Sequence, residues 1–173
     1  MRAGHPEPVV TVDDATMIAV AAAVLSALHL ARTPPEGGRV VIADANRLPL
    51  LGSVLVASGV GDLTLWHLAD APRFPLRRVA AYADVLVDLL GVPAPTGPVV
   101  VTRDTLDPMT VLPGLLRAVD AVPVDRVDVS VHAACASALA TVAPPDRRPR
   151  PESDHTLIAL VADTATRALR RAS

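Results

Sequence analysis

Several short stretches carry side chains that could do chemistry: Asp13-Asp14, Asp44-Ala45-Asn46, His67 with Asp70, and Arg103. Adjacent carboxylates either ligate a divalent cation or cap a helix, and Asp13-Asp14 directly precedes a long apolar run, which favours the cap. One carboxylate cannot hold Mg²⁺ or Mn²⁺ well, because these ions want several oxygens, so Asp14 is a metal candidate only in company. Asp44 and Asn46 stand in the turn after an apolar run, where a dinucleotide-binding loop keeps its glycines. His67 falls where an acid would meet the ribose hydroxyls, roughly 20 residues further on, and Asp70 could substitute for it. Asp128 and His132 read as a surface helical pair. Cys135 lies on an apolar stripe with no basic neighbour, which reads as a buried structural thiol. The chain has no lysine and no Gly-x-Ser-x-Gly, CxxC or HExxH, so a lysine Schiff base or lysine base is excluded.

Composition and hydrophobic pattern set the framework in which these groups would lie. The chain has 173 residues and is expected to form a single domain, 1–173. It is 51% hydrophobic but only 2% aromatic, so its core is built from Val, Leu and Ala. A net charge of −2 and the scarcity of aromatics give no footprint for nucleic acid. A single cysteine excludes an internal disulfide and fits a cytoplasmic location. Residues 15–31 are barely long enough to span a membrane and follow an acidic segment, so no membrane or secretory role is expected.

An extended segment is expected over 1–12, then a helix over 15–32, apolar nearly all round and hence buried on more than one side. Residues 39–44 read as a strand, 47–58 as a helix with Leu51, Val54 and Leu55 inward and Gly59 just past its end, and 62–68 as a second strand. Leu76, Val79, Ala83, Leu86 and Leu90 have helical spacing and predict a helix over 75–91. Residues 98–102 read as a third strand and 124–142 as a helix. A Pro/Arg-rich surface loop is expected over 144–153, with a terminal helix over 154–171. Strands alternating with helices predict an α/β fold with a parallel sheet.

The order of these stretches resembles one family. "VDDATMIAVAAAVLSALHLARTPPEGGRVVIADA" is similar to the start of the NAD(P)-binding domain of malic enzymes, where an Asp-Asp pair leads into a long Ala/Leu helix, a strand and a Gly-rich loop. "VASGVGDLTLWHLAD", "VLPGLLRAVDAVPVDRVDVSVHAACASALATV" and "ALVADTATRALRRA" resemble later parts of the same domain. The resemblance implies a Rossmann-like parallel sheet with flanking helices and C-terminal helices packed back on it.

Departures from the family pattern carry the functional expectation. The alignment puts Asp44, Asn46 and Pro49 where the family has its glycines; slipping by one gives Ala43, Ala45 and Leu48. The family's catalytic Tyr and Lys belong to a preceding domain that is expected to be absent, and Tyr82, the only tyrosine, falls in the nucleotide-type half. Of the family's acidic metal ligands only Asp14 carries over, and the paired asparagines before its "FPG" have no counterpart in "LDPMTVLPG". The expectation is a domain without catalytic residues and without a cofactor, acting as a protein-interaction or ligand-binding module in a homodimer or hetero-complex. The alternatives are a nucleotide-binding oxidoreductase-type protein with an altered NAD(P) cleft lined by Asp14, Asp44, Asn46, His67 and Arg103, or a subunit that needs a separate catalytic chain.

Overall fold

The computed structural model describes residues 9–91, 96–142 and 151–172, with side chains from 155 onward in the last stretch. Its centre is a parallel sheet of β1 (Arg39–Ala43), β2 (Asp62–Trp66), β3 (Val85–Asp88) and β4 (Val99–Thr102), in the order β2-β1-β3-β4. Val41 of β1 stands opposite Thr64 on one side and Leu86 on the other, and Leu86 opposite Val100. The chain therefore lays β2 on one flank of β1 and returns to lay β3 on the other. In such sheets a crevice opens beyond the carboxyl ends of the two strands that flank the reversal, here β1 and β3. This is the expected α/β, Rossmann-like architecture.

Helix α1 (Val12–Leu30) buries every residue from Ala15 to Leu28. Its length and hydropathy would suit a membrane span, but the protein itself covers it. α2 (Leu51–Ala57), α4 (Leu112–Ala121), α5 (Val129–Val142) and α6 (Pro151–Ala172) join α1 over one sheet face. That face presents Val40, Ile42, Val85, Val87 and Val101. Leu51, Val54 and Leu55 point inward as expected, and Gly59 ends α2 at φ +98°, a conformation that suits glycine. The opposite face, with Val41, Ala43, Trp66 and Leu86, carries a much smaller core under the short α3 (Leu76–Val79) and the turn that follows.

Several expectations need correction. The helix over 75–91 is instead α3, a 3-10 turn over Ala80–Tyr82 and the central strand β3. Val85-Leu86-Val87 is a fully buried run, and in a parallel sheet both faces are covered, so such a strand loses the alternation that would identify it. The strand over 98–102 is consequently the fourth. The helix over 124–142 begins only at Val129, and α4 precedes it. Helix 47–58 starts at Leu51 after a 3-10 turn over Ala45–Arg47, and Val12 already belongs to α1. The rest of the 1–12 segment up to residue 8 and most of the 144–153 loop lie outside the described residues; 151–153 belong to α6.

Candidate functional site

Asp13 and Asp14 do not cap α1 themselves. Thr11 is the N-cap: its hydroxyl accepts from the Asp14 N–H at 3.2 Å, and Asp14 Oδ2 accepts from the Thr11 N–H and hydroxyl at 2.7 Å each. This reciprocal box satisfies donors that a helix start leaves free. It also aims the other carboxylate oxygen across the helix layer. His132 Nε2 on α5 donates to Asp14 Oδ1 at 2.9 Å. The His132 side chain is fully buried and that of Asp14 is 16% exposed. Burial alone would push the Asp14 carboxyl up; the hydrogen bonds from His132 and Thr11 outweigh it and hold the group below its ordinary value. His132 Nδ1 is buried with no hydrogen-bond partner among the described residues. The expected His132–Asp128 surface pair is thus replaced by a buried pair linking α1 to α5, while the Asp128 carboxylate meets Arg126 at 3.4 Å.

Arg103, just past β4, reaches Asp13 Oδ1 at 3.4 Å in an exposed pair. Such pairs contribute little to stability. Asp13, Asp14, Arg103 and His132 therefore gather where α1 begins.

The turn after β1 is built differently. Asp44 adopts the left-handed conformation, φ 63° and ψ 56°, which glycine would enter most cheaply. Its N–H donates to the Trp66 carbonyl at 2.8 Å, and its carboxylate takes the Arg47 Nε–H at 2.8 Å. Leu48 is only 1% exposed and belongs to the main core. Pro49 and Leu50 follow in exposed positions, and α2 begins at Leu51 with no side-chain cap. Asn46 is exposed and has no hydrogen bond among the described residues.

Across the adjacent strand end, Asp70 Oδ2 accepts from the His67 N–H at 3.1 Å, while His67 Nδ1 is buried with no hydrogen-bond partner among the described residues. Asp88, at the end of β3, was not singled out in the sequence. It is 5% exposed and its Oδ1 accepts from the N–H groups of Leu90 and Gly91 at 2.9 and 3.0 Å. Its position opposite Ala43 places it at the strand-order reversal, and that carboxylate oxygen is already used to close its own turn. No hydrogen bond or ion pair among the described residues links the Asp44–Asn46 and His67–Asp70 groups to Asp14 and Arg103.

Cys135 is fully buried, and burial pushes its thiol up to about 12, so it stays protonated and inert at neutral pH. Among the described residues there is no cluster of three His, Cys, Asp or Glu suited to a metal ion. No family model matches this chain, and no curated protein is significantly similar to it.

Proposed function

We propose that this chain is a Rossmann-like domain of malic-enzyme type whose dinucleotide turn has been rebuilt, and that it works as a protein-interaction module rather than as an oxidoreductase. The observation that carries this reading is the turn over residues 44–50. A bound pyrophosphate needs close backbone approach and free N–H groups at a helix start. This turn offers a carboxylate at Asp44, an inserted leucine at Leu48, and a proline without an N–H at Pro49. The helix behind it starts late and is seven residues long.

The choice of interaction over ligand binding at this end rests on the second sheet face. Of the chain's three aromatic residues, Trp66 ends β2 and Phe74 and Tyr82 fall in the excursion that follows it across that face. Trp66 is buried and donates its Nε1–H to the Phe74 carbonyl at 2.7 Å. Phe74 and Tyr82 are 61% and 77% exposed, and Leu68 beside them 63%. Arg73, Arg77 and Arg78 share the excursion, are exposed, and form no ion pair among the described residues. Aromatic and arginine side chains are the ones that most often carry binding energy at protein interfaces. Three unpaired arginines facing their own copies across a two-fold axis would repel, so the charge favours an acidic surface on a different protein.

Site-resolved photo-crosslinking tests this. Tyr82→benzoylphenylalanine should trap a discrete adduct in the source cells, Met109→benzoylphenylalanine should not, and Arg77→Glu with Arg78→Glu should weaken the adduct. No adduct at position 82, or equal adducts at both positions, defeats the reading.

A further inference from the structure

A second feature lies at the opposite end of α1, by the amino ends of the strands. An open cleft of about 960 Å³ is framed by the last turn of α1, the Pro34-Pro35 segment, the end of α2 and the second half of α5. That volume suits a small-molecule ligand. Its wall is mainly apolar, with Leu25, Leu30 and Ala140, while Arg32, His29 and Ser137 face it with polar groups.

Arg32 is the informative residue. α1 ends in a left-handed cap: the Thr33 N–H donates to the Leu28 carbonyl at 2.9 Å and the Arg32 N–H to the His29 carbonyl at 3.0 Å. The residue at the corner of this cap is usually glycine, because it needs a positive φ. Here it is Arg32, at φ 55°. The strained conformation aligns with no internal reward, since the Arg32 guanidinium has no hydrogen bond or ion pair among the described residues. A side chain held at a backbone cost beside a cleft points to a role in that cleft.

The polar lining divides into acceptors and donors. The hydroxyls of Ser58 and Thr141, which also line the cleft, donate to their own helix carbonyls at 2.8 and 2.7 Å, so they can only accept from a ligand. The strong free donors are the Arg32 guanidinium and the His29 imidazole. Among the described residues no carboxylate lines the cleft; the Glu36 carboxylate stands near Gly59, beside the lining residues Pro35 and Ser58. The C-terminal ends of α1, α2 and α5 all approach the cleft and disfavour an anion there; the first two are closed by cap hydrogen bonds, Thr33 N–H to the Leu28 carbonyl at 2.9 Å and Val60 N–H to the Leu55 carbonyl at 3.0 Å, which lessens that opposition.

We infer that this cleft binds an aliphatic monocarboxylate, its head group on Arg32 beside His29 and its chain along Leu25, Leu30 and Ala140. A guanidinium pairs with a carboxylate through two parallel N–H donors, and the apolar wall takes the tail. The inference is independent of the interaction module proposed above, since the cleft lies in the helical layer on the other face of the sheet.

Titration of the whole protein with decanoate, decan-1-ol and inorganic phosphate, followed by amide NMR, tests it. Decanoate should shift the Leu25 and Ala140 amides saturably, decan-1-ol should bind at least about tenfold more weakly, and phosphate alone should leave these amides unmoved. Arg32→Gly separates binding from folding, because glycine suits the left-handed corner. The variant should melt about 2–4 °C higher and bind decanoate about tenfold more weakly or worse. Equal binding of decanoate and decan-1-ol, undiminished binding by Arg32→Gly, saturation by phosphate alone, a lower melting temperature for Arg32→Gly, or no shift at those amides overturns the inference.

Discussion

The contact between Asp14 and His132 shows how far a single side chain's role depends on the fold. Asp14 serves the α1 cap and the α1–α5 packing at once, accepting from Thr11 with one oxygen and from His132 with the other. Asp14→Ala should lower the unfolding free energy by about 1.5–3 kcal/mol, because it leaves the buried His132 without its charged partner; urea denaturation near neutral pH measures this. The pH dependence has a defined sign. The folded-state value of Asp14 lies below its ordinary 3.8, so its stabilisation is complete above that value and is lost as pH falls through the lower, folded value. The gap between wild type and Asp14→Ala should therefore close in acid, and a gap of constant size would refute the assignment. Leu48→Ala, in the turn after β1, should cost about 2–5 kcal/mol, as for other fully buried leucines; a cost under about 1 kcal/mol would mean that Leu48 does not anchor the turn. Asp14 was visible in the sequence as a cap-region residue, and Cys135 as a buried thiol. The partner of His132 was not, because the two residues lie 118 apart, while Asp128 offers the nearer helical spacing. The signal available was the position of His132 within the apolar run "VSVHAACA".

The elements were legible where their period was unambiguous. α1 is apolar on every side and buries accordingly, and β1 is a β-branched run of strand length. The segment over 75–91 misleads because Leu76, Val79, Ala83, Leu86 and Leu90 match a helix by spacing while Val85-Leu86-Val87 packs as the central strand. A short buried apolar run has no period of its own, and the sheet resolves it by pairing β3 with both β1 and β4. α4 carries its own signature, Pro113 in its first turn and Gly114 on its buried face. Gly114 lets α4 and α6 cross closely: a Cβ there would lie 2.7 Å from both the Ile158 carbonyl oxygen and Val161 Cβ. Gly114→Ala should force the helices apart and destabilise the protein by about 1–3 kcal/mol despite alanine's better helix propensity. Thermal melting checks this, and a variant as stable as wild type would show that the crossing can relax.

The whole molecule is asymmetric, with a thick helical layer on one sheet face and a thin excursion carrying Phe74, Tyr82 and three arginines on the other. The parallel sheet and its reversal between β1 and β3 put Asp44, Asn46, His67 and Asp70 at the carboxyl end, as a dinucleotide fold would. The sequence already indicated that the glycines of such a turn were missing. How the turn is filled depends on atoms that only the fold brings together: Asp44 in a left-handed conformation held to Arg47, Leu48 in the core, and α2 starting late. The interaction surface follows from the same asymmetry, and because it rests on Arg77 and Arg78 the adduct at position 82 should weaken as salt is raised. The most direct test of the account is calorimetric titration of the purified protein with NAD and NADP. The rebuilt turn predicts no saturable heat for either dinucleotide up to millimolar concentration. Saturable micromolar binding, abolished by substitutions at Asp44 or Asn46, would contradict it.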